Sequence, residues 1–110
     1  MQREIKKYLH DIIVSIDSIE DYFGEKKDFN YYLSNKLLRR AVERELEIIG
    51  EAINRILKID ENIAIENARR IVNLRNWVIH SYDTIDDIII WGIISKDIPQ
   101  LKIEIHKIIN

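Results

Sequence analysis

The chain has 110 residues, 46% hydrophobic and 33% charged, with no cysteine and a formal net charge of −2. This balance fits a single domain over 1–110 with a substantial core, and it excludes general disorder, disulfides, thiolate nucleophiles and cysteine-based zinc sites. It also gives no overall pull toward nucleic acid, so such a partner would have to be held by a local basic patch.

The elements follow in chain order. Ile5, Leu9, Ile12, Ile16, Ile19 and Phe23 are spaced alternately by four and three residues, which predicts an amphipathic first helix closed by Gly24. Glu25–Asp28 is a polar connection. A second and longest helix is expected to begin near Tyr31 or Ser34 and to run through Leu37, Ala41, Leu46, Ile49, Ile53 and Leu57. Gly50 lies inside it at about 1 kcal/mol relative to Ala, a cost best understood if another backbone packs close there. Asp60-Glu61-Asn62 breaks the pattern, and a third helix is predicted from about Ile65 to Tyr82. Asp83 or Thr84 reads as the N-cap of a fourth helix carrying Ile85, Ile88, Ile89 and Gly92. Asp97 ahead of Pro99 suggests a cap with Pro in a first turn, so the last stretch is kinked or restarts as a fifth helix with Leu101, Ile105 and Ile108 inward. No strand alternation or repeat is present. The expected fold is therefore all-α, an antiparallel four- to five-helix bundle.

No apolar run approaches the roughly 18 residues of a membrane span, and Arg3 and Glu4 put charge where a signal peptide is apolar. A cytoplasmic protein without membrane association is expected. Histidines at 10, 80 and 106 have no metal-ligand spacing, so neither a metal nor a cofactor is expected. His10 and His106 read as surface or packing residues.

The chemistry concentrates in Leu74-Arg75-Asn76-Trp77-Val78-Ile79-His80-Ser81-Tyr82-Asp83. At about 100° per residue, Ile71, Leu74, Val78, Ser81 and Ile85 fall on one side of a helix, which faces a core. Asn73, Asn76, His80 and Asp83 fall opposite, and Arg75 and Tyr82 share a flank. An imidazole with an ordinary pKa of about 6.5 can accept or donate a proton near neutrality, and a guanidinium can stabilise charge building on a phosphoryl oxygen. Together they suit phosphodiester cleavage. On one regular helix, however, Arg75 and His80 diverge by about 140°. Three arrangements would reunite them: the long arginine arm wraps round, the helix ends near His80, or a second copy of the same helix packs against this one. The third, helped by the first, fits best.

Arg39, Arg40, Arg44 and Arg55 on the second helix, with Arg69 and Arg70 leading into the third, could form the local basic patch. Glu43, Glu47 and Glu51 are interleaved with them, and such alternation more often marks a solvated, self-paired helix face.

The segment Arg75-Asn-Trp-Val-Ile-His80-Ser-Tyr82 has the form R-x-x-x-x-H-x-Y, and it resembles the signature of HepT-like toxins, a branch of the HEPN superfamily of helical ribonucleases. Glu45-Leu46-Glu47-Ile48-Ile49-Gly50-Glu51-Ala52 is similar to that family's second-helix segment, and Ser95-Lys96-Asp97-Ile98-Pro99-Gln100-Leu101 to the segment before its final helix. The resemblance covers essentially the whole chain. It implies a HEPN-like bundle that forms a homodimer with a composite cleft, and the toxin of a type VII toxin–antitoxin pair whose antitoxin is a minimal nucleotidyltransferase. The implied activity is metal-independent RNA endonuclease cleavage, of tRNA or mRNA, by attack of the 2'-hydroxyl on the adjacent phosphate. Carried onto this sequence, His80 is general base or acid, Arg75 holds and neutralises the phosphate, and Asn76 orients it. Tyr82 matches the tyrosine to which the antitoxin attaches AMP. A reading of another class is a non-catalytic binding or substrate-presenting subunit of a nucleotidyltransferase, in which Arg75, His80 and Tyr82 only build an interface.

Overall fold

A computed structural model describes residues 2–73 and 84–110, and of 84–86 the backbone alone. Every element among the described residues is helical. The first helix, α1 (Arg3–Phe23), buries Ile5, Leu9, Ile12, Ile16, Ile19 and Phe23, the stripe that its spacing predicts. It stops at Gly24, whose φ of 57° is cheap only without a Cβ, and whose N–H returns to the Glu20 carbonyl.

The expected second helix is two helices. A short α2 (Phe29–Ser34) starts at Asp28, whose carboxylate accepts from the Tyr31 N–H, and α3 (Lys36–Ile59) starts at Asn35, whose side chain accepts from the Leu38 N–H at 3.0 Å. Asn35 breaks the run because its side-chain oxygen caps the next helix while its own backbone is extended (φ −114°, ψ 96°). Arg39 then donates to the Leu33 carbonyl, one of those that the end of α2 leaves without a helical partner.

The α1 and α3 helices run antiparallel and share the largest interface. Tyr22 of α1 donates to Glu45 at one end, and Tyr8 meets Arg55 at the other. Leu9, Ile12 and Ile16 interlock there with Leu46, Ile49, Ile53 and Ile56, all fully buried. Each such side chain contributes about 1.5–3 kcal/mol relative to exposure.

Beyond Asp60, which accepts from the Asn62 N–H, residues 65–67 are not helical, and α4 (Ala68–Val72) begins later than the predicted third helix. The delay follows from Asn67, which sits in the left-handed region (φ 60°) and cannot continue a right-handed helix. Helix α5 (Thr84–Gly92) follows the 74–83 stretch; Thr84 is already helical, and Asp83, the alternative cap, lies outside the described residues.

The last stretch restarts as its own helix, one of the two expected alternatives: α5 passes through a π-helical turn (Ile93–Asp97) into α6 (Ile98–Ile109), which carries Pro99 in its first turn. Pro99 has no N–H for the Ser95 carbonyl and its ring crowds that position, so the turn widens. Asp97, expected as a cap, has helical dihedrals (φ −73°, ψ −39°) and makes no capping bond. The turn keeps Ile93 and Ile94 buried together with Ile98, Leu101 and Ile105. Lys102 ties α6 to α1, with Nζ 3.1 Å from both Glu20 oxygens and 3.2 Å from Asp17; the Glu20 hydrogen bonds, followed by Asp17, hold its pKa above the ordinary lysine value. No helix among the described residues is long and apolar enough to cross a membrane.

Candidate functional site

The four residues singled out in the sequence, Arg75, Asn76, His80 and Tyr82, lie outside the described residues, as do Leu74, Val78 and Ser81 of the predicted core stripe. What the structure supplies is the pair of helices between which that stretch runs, and the reasons those helices sit where they do.

On the entry side, α4 lies against Gly50 of α3. A Cβ on Gly50 would meet the Ile71 carbonyl oxygen at 3.4 Å and that of Val72 at 3.7 Å, so the close backbone approach inferred from a glycine inside a helix is present. Ala68 and Ile71 are buried against the core. The turn before α4 is pinned to α6 by the Glu66 N–H, which donates to Glu104 at 2.8 Å. Arg70 reaches the π turn, its Nε 3.2 Å from Asp97 Oδ2. That contact is Coulombic: among the described residues Oδ2 has no hydrogen-bond partner, although Asp97 is only 9% exposed.

On the exit side, Ile90 of α5 is fully buried. Trp91 joins an aromatic group, its ring centroid 5.7 Å from Phe23, 5.9 Å from Phe29 and 5.6 Å from Tyr32. Tyr32 is wholly enclosed, and its hydroxyl has no hydrogen-bond partner among the described residues. Burial first, then the nearby carboxylates of Glu43 and Asp87, push that hydroxyl well above the ordinary tyrosine pKa. Glu43, itself buried, accepts from Arg40 Nη1 at 2.8 Å.

The arginines expected as a basic patch are largely engaged. Arg40 pairs with Glu43, Arg44 approaches Glu47 at 3.9 Å, Arg55 donates to Glu51 at 3.0 Å, Arg70 faces Asp97, and Arg39 binds a backbone carbonyl. The self-paired reading of the α3 face therefore holds for most of it. A groove of about 460 Å³ between α1 and α3 is lined by alternating charges that include Asp11, Arg44, Glu47, Glu51 and Arg55. It gathers no proton-transfer pair around one point. His10 and His106 are exposed, and no group of His, Asp or Glu among the described residues could hold a metal ion.

Tyr32 was not singled out in the sequence, and neither was the burial of Glu43, read there as one of the acids of a solvated face, or of Asp97, read as a cap. One signal was available for Glu43. It stands in register with Leu46, Gly50, Ile53 and Leu57, so it is a charge on a stripe that is otherwise apolar.

Residues 12–108 match the family model described as ribonuclease HepT-like. A Methanocaldococcus jannaschii protein provisionally named an RNase is 39% identical over 107 residues, covering 96% of each chain. A second protein of that organism, named in the same way, is 35% identical over 110 residues, 99% of this chain and 94% of its own. A Thermococcus cleftensis protein provisionally named ribonuclease HepT is 36% identical over 109 residues, 98% of each chain. No solved structure matches. Relatives of this identity aligned from end to end, with a family model that spans nearly all of the bundle, place the chain in the HepT-like ribonuclease family.

Proposed function

We propose that this protein is a metal-independent RNA endonuclease, the cytoplasmic toxin of a type VII toxin–antitoxin pair, which works as a homodimer and is silenced when a minimal nucleotidyltransferase antitoxin attaches AMP to Tyr82. The observation that carries this reading is the R-x-x-x-x-H-x-Y segment, Arg75 to Tyr82, inside a chain that belongs over nearly its whole length to the HepT-like ribonuclease family.

The chemistry follows from the residue types. The RNA 2'-hydroxyl attacks the adjacent phosphorus, forming the P–O2' bond while the P–O5' bond breaks, and leaves a 2',3'-cyclic phosphate and a 5'-hydroxyl. His80 takes the proton from O2' as general base, or gives one to the departing O5' as general acid; two copies, one from each protomer, would fill both roles at one phosphate. Arg75 holds that phosphate and offsets the charge that builds on its oxygens. Asn76 orients the phosphate for in-line attack. An AMP on Tyr82 would add bulk and negative charge to the same cleft and repel the RNA. The seating of α4 on Gly50, at the end where the segment begins, supports the reading, and Trp91 in the last turn of α5 holds that helix in the aromatic group.

The test is cleavage of total RNA and tRNA in EDTA by unmodified protein, expressed without a partner and checked by intact mass. Cyclic-phosphate ends that disappear in His80→Ala are expected, together with loss of growth arrest in cells expressing that variant. A folded wild-type dimer that leaves RNA intact would instead favour the non-catalytic, nucleotidyltransferase-binding reading.

A further inference from the structure

Four arginine–carboxylate pairs among the described residues fall into two kinds. In Arg44–Glu47 and Arg55–Glu51 the acid is exposed, by 36% and 41% of its side chain, so a phosphate approaching the guanidinium also meets a carboxylate. In Arg40–Glu43 and Arg70–Asp97 the acid is only 9% exposed, while the arginine is 60% and 61% exposed. Here the enclosed carboxylate holds the guanidinium by a hydrogen bond in Arg40–Glu43 and by charge alone in Arg70–Asp97, and leaves most of it toward solvent. A guanidinium steered from behind in this way is prepared to grip a phosphate, since little side-chain freedom remains to be lost on binding.

Both pairs also stand near described residues that flank the 74–83 stretch. Arg70 precedes Arg75 by five residues, which limits their Cα separation to about 18 Å. Arg40 lies near α5: Asp87 contributes, after Glu43, to the field that raises the Arg40 pKa, and Asp87 follows Tyr82 by five residues. Arg55, by contrast, sits beside Tyr8, near the start of α1 and the far end of α3.

The geometry points to Arg40 and Arg70 as phosphate-binding residues that hold the RNA strand beside the scissile phosphate, with Glu43 and Asp97 as the positioning residues behind them. This rests on the ribonuclease reading and assigns its substrate contacts outside the R-x-x-x-x-H-x-Y segment.

The experiment measures binding of a fluorescent single-stranded oligoribonucleotide across a salt series, in the His80→Ala background so that the probe survives, with wild-type cleavage assayed alongside. Arg40→Gln and Arg70→Gln are each expected to lower the slope of log affinity against log salt by about 0.7, and to weaken binding about fivefold at 0.1 M salt. Arg70→Lys, which keeps the charge, should restore most of the slope, and Arg55→Gln should leave it unchanged. Circular dichroism at the assay temperature keeps loss of fold separate, because a strut with no RNA contact would not change the slope of the molecules that remain folded. An unchanged slope in both glutamine variants, or an equal fall in Arg55→Gln, overturns the assignment even if the wild type cleaves RNA. Binding that responds as expected without wild-type cleavage overturns the nuclease reading and leaves the phosphate contacts standing. Neither binding nor cleavage overturns both.

Discussion

The α1–α3 seam and the region flanking residues 74–83 are built from different materials. Along the seam, isoleucine and leucine fill the space between two long helices, Ser15 is the buried polar residue of α1 among those described, and acids and arginines pair in the open. At the flanks, where α2 and α4 meet α3, Trp91 of α5 meets Phe23 and Tyr32, and the π turn meets Arg70, the structure encloses two carboxylates, a tyrosine hydroxyl and a backbone-to-backbone approach at Gly50. The seam holds the molecule together by area removed from water, whereas the flanks hold particular groups in particular places at some cost in stability. Polar groups buried beside a proposed active segment are what positioning a substrate requires.

Three sets of substitutions would break or sharpen that contrast. The largest effect is expected at Gly50. Alanine there would make ordinary van der Waals contact with the Ile71 carbonyl and recover helix propensity, so Gly50→Ala should be neutral to stabilising by up to about 1 kcal/mol. Gly50→Leu has no such space and faces backbone rather than a movable side chain, and should cost about 3 kcal/mol in chemical denaturation. Equal effects of the two would show that α4 is free to shift away.

Next comes an asymmetry within one ion pair. Arg70→Ala strands a carboxylate that is 9% exposed and should cost about 2 kcal/mol, whereas Asp97→Ala leaves a mostly exposed guanidinium to water and should cost within about 1 kcal/mol. The comparison of denaturation midpoints checks it, and a larger loss in Asp97→Ala would mean that the carboxylate has a partner beyond Arg70.

The smallest effect has the opposite sign. Tyr32→Phe keeps the ring contacts and removes a buried hydroxyl without a partner among the described residues, so it should stabilise by about 1 kcal/mol at neutral pH. Because the folded protein raises the pKa of this hydroxyl, the unfolded chain releases its proton first, and wild-type stability falls as pH climbs past about 10, by up to about 1.4 kcal/mol per unit for this one group. Tyr22 and Lys102, also raised, decline in the same direction in both proteins, so the widening gap between wild type and Tyr32→Phe isolates Tyr32. A gap that stays constant above pH 10 would place the hydroxyl in contact with water.

The regular parts of this fold were readable as periodicity. The stripe of α1 and its glycine stop, the inward face of α3 from Leu46 to Leu57, the value of Gly50 and the apolar side of α6 follow from spacing, because burial there is repeated every three or four residues; at the start of α3 the expected Leu37 and Ala41 are off by one, since Leu38 and Val42 are buried and Leu37 is 82% exposed. Asn35 was not readable as a break, since Tyr32, Leu38 and Val42 keep apolar residues coming at intervals that a single helix would also show. Asp97 before Pro99 has the look of a cap, but the missing N–H of Pro99 was accommodated by widening the helix, and the carboxylate turned toward Arg70, a partner 27 residues earlier in the chain that no local pattern announces. The same limit applies to Arg40 and Arg70. Their charge is visible in the sequence, while the depth of the acids behind them appears only once the helices are packed. For Arg75, Asn76, His80 and Tyr82 the motif remains the source of the reading.

The π turn also has a bearing on how the length of this chain can change over time. Such a turn accommodates more residues than an α-helical turn, and each residue added to a helix rotates the rest of it by about 100°. Loss of one residue between Ile93 and Asp97 would convert the wide turn into an α-helical one and leave Leu101 and Ile105 on nearly the same side, whereas loss of one residue from the regular helix on either side would swing them out of the core. The π turn is thus a place where the rod from α5 to α6 can shed a residue with its apolar side kept, so a change in the spacing between Trp91 and Leu101 is expected to fall within Ile93–Asp97 among lineages that keep this core.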